Sequence, residues 1–220
     1  MTPAQRSPDR RLAVLVSCLL LLAGSVSCAS RPQPGAAPKE ILVFSKTAGY
    51  RHASIPAGIA TIQQLGRDDG VAVTATEDAG AFTVDNLRRF QAVVWLSTTG
   101  DVLDPVQQAA FETYLRDGGG YVGVHAAADT EYGWPWYGNL VGAWFADHPA
   151  IQEATVRVED ATNPATGHLG SSWIDTDEWY NFRTNPRPNV RVLLSADETS
   201  YSGGTMRGDH PITWCRDYDG

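Results

Sequence analysis

Through the first half of the chain, short apolar runs alternate with stretches whose apolar residues recur at helical spacing. Glu40 to Ser45 opens the series as a mainly apolar run, the pattern of a strand buried on both faces. Ile55 to Leu65 repeats with the period of a helix, and Arg67 to Gly70 ends it. Val71 to Thr76 is alternating and β-branched, a second strand. Asp85 to Phe90 gives one or two helical turns and leads into a third strand at Ala92 to Leu96. Asp104 and Pro105 predict a helix start, with Asp as N-cap and Pro at the first helical position. That helix runs through Phe111, Tyr114 and Leu115 to a stop at Gly118 to Gly120, and Tyr121 to His125 is the next strand. Strands alternating with helices argue for an α/β fold on a mostly parallel sheet with right-handed crossovers.

The second half is less regular. Asp129 to Phe145 is crowded with Trp134, Trp136, Tyr137 and Trp144. Ile151 to Val158 alternates like an exposed edge strand, and Asn163 to Trp173 reads as loop. Val190 to Ala196 and His210 to Cys215 read as strands, and Arg216 to Gly220 is turn chemistry. A chain that stops on a turn signal is expected to lack a C-terminal piece.

The start of the chain adds a destination. Arg6, Arg10 and Arg11 precede an apolar stretch from Leu12 to Ala23, then small residues and Cys28. The stretch is shorter than the roughly 20 residues a membrane span needs, so residues 1–28 read as an export signal. Cys28 resembles the lipidated cysteine of a bacterial lipobox, with ordinary cleavage as the alternative. Residues 29–39, rich in Pro, Ala, Gly and Ser, read as a linker, and residues 40–220 as one domain. The expected product is extracytoplasmic and anchored to the envelope by lipid, its only membrane attachment. Cys215 alone remains in the domain, which excludes a disulfide framework there. With 43% hydrophobic and 19% charged residues a packed core is expected, and a formal charge of -8 excludes a non-specific nucleic-acid binder.

The segment from Gly118 to Ala127 carries the strongest chemical signal. A glycine-rich helix stop feeds a buried strand that ends on His125 among Gly123, Ala126 and Ala127. Ligands of open α/β sheets bind outside the carboxyl ends of the strands, and small neighbours would let an elbow expose the histidine. The alternative is a histidine that caps a helix or packs under a loop. Gly119 to Thr130, which reads GGYVGVHAAADT, resembles the trehalose-utilisation (ThuA-like) family. Further matches are Val43 to Thr47, Tyr50 to His52, Tyr137, Gly142 to Phe145, His148-Pro149, Asp177 to Tyr180 and His210 to Trp214.

The resemblance implies a class I glutamine amidotransferase-like (flavodoxin-like) fold, a three-layer α/β/α arrangement. Such folds carry a nucleophilic Cys on the elbow. Here His125 stands in that region and Cys215 lies in another strand, so amidotransfer through a thioester is disfavoured. The family pattern continues beyond the Trp214 strand into segments that this sequence does not show.

The candidate catalytic residues are His125 and Glu178 as a central acid/base pair, supported by Asp129, His148 and His210. His52, Trp134, Trp136, Tyr137 and Tyr180 are candidate substrate contacts, since aromatic faces beside carboxylates commonly grip sugar rings. Core packing is the alternative for the aromatics, and backbone hydrogen bonding in turns for His148 and His210. No short ligand spacing such as H-x-x-x-H appears, so no cofactor is expected, although imidazole and carboxylate would suit Zn or Mn. The resulting expectation is an exported protein of carbohydrate metabolism with a small-molecule sugar as partner. A non-catalytic sugar-binding domain and a metal-dependent hydrolase are the alternatives.

Overall fold

The computed structural model describes residues 39–218. The export signal, Cys28 and all of the linker but Lys39 lie outside the described residues. Among the described residues, no helix is long and apolar enough to cross a membrane.

The first half builds a parallel sheet. Its strands are β1 (Glu40–Phe44), β2 (Ala72–Thr76), β3 (Ala92–Leu96) and β4 (Gly120–Val124), in the order β2-β1-β3-β4 and all parallel. Crossovers run through α1 (Ile55–Asp69), α2 (Val84–Leu87) and α3 (Pro105–Arg116). Alternation along β1 and β3 sends side chains to two layers. Val43, Val94 and Leu96 meet Ile59 and Ile62 of α1 on one face. Leu42, Phe44, Val93 and Trp95 meet Phe111, Tyr114 and Tyr137 on the other. This is the three-layer α/β/α arrangement, in a flavodoxin-like strand order.

Local chemistry accounts for the helix ends. Asp104 accepts from the backbone N–H groups of Val106 and Gln107, and Gln107 returns a bond to the Asp104 N–H, a complete capping box. Gly70 ends α1 at φ 68, a left-handed conformation that glycine adopts without a side-chain penalty. Gly119 is needed for a different reason, because a Cβ there would lie 2.2 Å from the Tyr114 ring.

The second half departs from the parallel pattern. After α4 (Pro135–Val141), β5 (Phe145–Asp147), β6 (Gln152–Val158), β7 (Ser172–Asp177), β8 (Asn181–Phe182), β9 (Arg191–Ala196) and β10 (Pro211–Cys215) are antiparallel throughout. Four of them form a sheet in the order β10-β9-β6-β7, and β5 pairs with β8. The strand expected at an exposed edge, β6, lies inside this sheet between β9 and β7. Its alternation comes from one buried face, with Ala154 and Val156 facing Trp179 and Ala196, and not from a free edge. Trp173, expected in a loop, belongs to β7.

Candidate functional site

Four chain segments converge at the carboxyl ends of β1, β3 and β4. His125 directly follows β4 and opens a 3₁₀ turn over His125–Asp129. Its φ of 53 is left-handed, a region that histidine tolerates better than most residues but still at a cost of about 1–3 kcal/mol. The preceding strand end is tied to β3 by a bond from the Ser97 N–H to the Val124 carbonyl (3.1 Å). Ser97 turns left-handed as well, at φ 48. Small residues make room for the turn, as expected, and Ala126, Ala127 and Ala128 are all buried.

His52 comes from the loop after β1. Thr99 fastens that loop: its hydroxyl accepts from the Gly49 N–H (3.2 Å) and donates to the Tyr50 carbonyl (2.8 Å), while its own carbonyl accepts from the Ala48 N–H (2.7 Å). The His52 and His125 rings meet edge to face with centroids 4.5 Å apart. His52 Nδ1 is buried without a hydrogen-bond partner.

Glu178 and Tyr180 arrive from the end of β7. Between them Trp179 is buried and donates its indole N–H to the Gln152 carbonyl (2.7 Å), which anchors the segment. Glu178 Oε2 then lies 3.3 Å from His125 Nε2 and 3.7 Å from His52 Nε2. The Tyr180 hydroxyl is 3.2 Å from the same His125 Nε2, and its ring packs against His125, Phe145 and His148. The side chains of His125 and Glu178 are 23% and 22% exposed, open enough for a ligand to reach them.

Electrostatics define the resting state. Burial lowers the His125 pKa, the neighbouring His52 lowers it further, and the charges of Asp177 and Glu178 oppose both. The net direction favours a neutral imidazole. Burial, followed by the charges of Glu178, Asp129 and Asp177, raises the Tyr180 pKa and keeps the phenol protonated. A protonated phenol 3.2 Å from Nε2 donates to it in the tautomer whose ring proton is on Nδ1; in the other tautomer Nε2–H faces Glu178.

The other candidates fall in three places. Asp129 and His148 flank the cluster. Asp129 accepts from the Tyr132 hydroxyl (2.6 Å), and His148 is exposed with Nδ1 2.8 Å from the Pro149 carbonyl. His210 is 1% exposed and lies away from solvent. Its Nε2 donates to the Tyr180 carbonyl (2.8 Å), and Nδ1 meets the Tyr201 hydroxyl (2.7 Å) and Glu198 Oε1 (3.1 Å). His210 therefore holds Tyr180 in place and does not itself face a ligand, which corrects its expected catalytic role.

The aromatic grip expected of Trp134, Trp136 and Tyr137 is corrected as well. Pro135 starts α4, and Trp134 and Tyr137 are buried. Trp134 stacks on Trp136 and Tyr137 with centroids 5.0 and 5.8 Å away, Tyr137 lies against Trp95, and the half-buried Trp136 packs on the same core. Sequence reasoning passed over Ser97 to Thr99, whose signal was a run of small polar residues directly after a buried strand.

From the cluster a cleft of about 1020 Å³ opens, lined at one end by His125, Asp177, Glu178 and Tyr180. It follows the outer edge of β4, where Val122 is exposed, to Trp214 and Cys215 of β10. Among the described residues, no strand pairs with that edge of β4.

Comparison with known proteins gives a consistent result. Residues 40–220 match the ThuA family, described as trehalose utilisation. A ThuA-like protein from Bacteroides uniformis superimposes with a TM-score of 0.71 at 27% identity, over 83% of this chain and 79% of that one. A ThuA-like protein from Parabacteroides merdae gives 0.67 at 20% identity, over 83% and 76%, and supports the fold alone. No curated protein matches the chain.

Proposed function

The chain belongs to the trehalose-utilisation (ThuA) family, and from that premise we propose that it acts on a carbohydrate, trehalose or a related sugar, at the cluster of His52, His125, Glu178 and Tyr180. The observation that carries this reading is the 3.3 Å approach of Glu178 Oε2 to His125 Nε2 at the head of an open cleft. Sugars offer hydroxyl groups that must lose or gain protons during reaction. A neutral imidazole accepts such a proton, the adjacent carboxylate stabilises the imidazolium that forms, and the Tyr180 phenol donates to a substrate oxygen. At about 1020 Å³ the cleft is just above the range for small-molecule sites, roughly 300–1,000 Å³, which leaves room for a disaccharide. Asp129 and His148 border the same cluster.

The competing picture of a non-catalytic sugar-binding domain relied on Trp134 and Trp136, and their place in the core removes its grip. Amidotransfer finds no thiolate at the elbow, where His125 stands and Cys215 is on β10. The proposed setting is extracytoplasmic, with a lipid anchor at Cys28 and a small-molecule sugar as the partner.

His125→Asn and Glu178→Gln test the assignment, since Asn also tolerates the left-handed backbone and Gln preserves the shape of Glu. Each is expected to reduce turnover of the active sugar by at least about 100-fold, the usual scale for losing a general acid or base. Turnover unchanged in both variants would remove the cluster from the mechanism.

A further inference from the structure

We propose that His52 Nε2, His125 Nε2 and Glu178 Oε2 together form a binding site for one divalent metal ion of the Zn²⁺ or Mn²⁺ class. The three donors lie within 4.8 Å of one another, although they come from three distant parts of the chain. A tetrahedral ion with ligand bonds of about 2.0–2.1 Å separates its ligands by about 3.3–3.4 Å. The two contacts of Glu178 Oε2, 3.3 Å to His125 and 3.7 Å to His52, come within about 0.3 Å of that edge. Both are longer than the roughly 2.7–2.9 Å of a charge-assisted hydrogen bond, so neither ring engages the carboxylate as a closed ion pair. Two of the three separations thus match ligands around a shared centre, and the third, between the two histidines, is within 4.8 Å.

The donor set and its surroundings agree with a cation. Two imidazoles and one carboxylate suit zinc, manganese or iron, and an all-oxygen site would be expected for calcium or magnesium. Asp177 adds negative charge beside His125. Three protein ligands leave further positions free, the signature of a catalytic and not a structural metal site. His125 and Glu178 line the cleft, so a sugar hydroxyl or water can take a free position, with the Tyr180 hydroxyl beside it. The ion would then acidify the bound oxygen. Without the ion, the His125 lone pair accepts the substrate proton and Glu178 stabilises the imidazolium; with it, both would hold the ion. What the ion does for catalysis rests on the functional reading above, whereas its binding does not.

The test uses the full chain, stripped with a chelator, dialysed and titrated calorimetrically with ZnCl₂ or MnCl₂ alone. The expected result is one ion per chain, with affinity reduced at least tenfold in His52→Ala and in Glu178→Gln. His168→Ala, an exposed histidine elsewhere, should bind as the wild type does. Circular dichroism checks folding, and if His52→Ala does not fold the near-isosteric Glu178→Gln decides. Co²⁺ supplies a second readout, because its visible spectrum reports nitrogen and oxygen ligation and should be lost in Glu178→Gln. Absence of stoichiometric binding in the folded chain, or binding equally tight in the folded variants, would overturn the site. Sugar-induced stabilisation of the same protein, measured metal-free and metal-loaded, separates the two claims. Sugar binding without metal binding sinks only the metal site, and metal binding without any response to sugar sinks only the carbohydrate reading.

Discussion

Glu131 shows how much a single residue can do here without touching a ligand. It is 2% exposed, sits at φ 57, and accepts hydrogen bonds from the Val102 and Leu103 N–H groups and from Gln108 Nε2. Burial raises its pKa while those three bonds pull it down. Glu131→Ala strands two buried backbone donors at about 1–3 kcal/mol each. The variant should therefore lose about 2–6 kcal/mol in urea unfolding. A loss below about 0.5 kcal/mol would show that the loop relaxes around the gap. At this scale the sequence told part of the story. His52, His125 and Glu178 could be singled out because each fell in a matched motif, but their convergence depends on how three loops fold back. His210 looked equally reactive, and only the fully occupied ring nitrogens reveal its supporting role. Glu131 gives no local sign of its role, because nothing in the sequence shows that the Val102 and Leu103 N–H groups need an acceptor.

Elements were most legible where the signal is local. The Asp104-Pro105 start of α3, the Gly70 end of α1 and the four parallel strands all follow from short-range chemistry. The order of β6, β7, β9 and β10 does not, because strand alternation reports which face is buried and says nothing about which neighbours pair. Trp134 and Trp136 were misplaced for a related reason: Pro135 reads equally as loop punctuation or as the first residue of a helix. The β6–β9 junction carries a pH-sensitive fastening. Asp197, just past β9, accepts from Thr199 and pairs with Arg157 of β6, while its N–H donates to the Thr155 carbonyl (2.9 Å). The Thr199 bond first, and Arg157 next, lower its pKa to about 2. A carboxylate lowered on folding stabilises fully above its unfolded value of about 3.9, and that contribution is lost as pH falls through about 2. Asp197→Asn should accordingly flatten the acid limb of a melting-temperature profile between about pH 4 and pH 2. An unchanged limb would show that the pairing contributes nothing to folding.

Across the whole molecule, two sheets of different kind divide the labour. The parallel sheet supplies His52 and His125 at its carboxyl ends, where open α/β sheets bind ligands. The antiparallel sheet contributes Glu178 and Tyr180, with Trp179 and His210 fixing their approach. Neither sheet alone holds the cluster, which explains why reading the elements in sequence order could propose its members but not its geometry. With a formal charge of -8, the chain suits a neutral polyhydroxylated ligand or a cation better than a polyanion.

The most direct test of this account is thermal stabilisation of the full chain and of His125→Asn across a panel of mono- and disaccharides. A ligand that binds only the native state raises the melting temperature, by the equivalent of about 2.7 kcal/mol at 100 times its dissociation constant. The account predicts that one sugar class raises the melting temperature of the wild type and that the shift is largely lost in His125→Asn. No shift with any sugar, or a shift of the same size in both proteins, would contradict it.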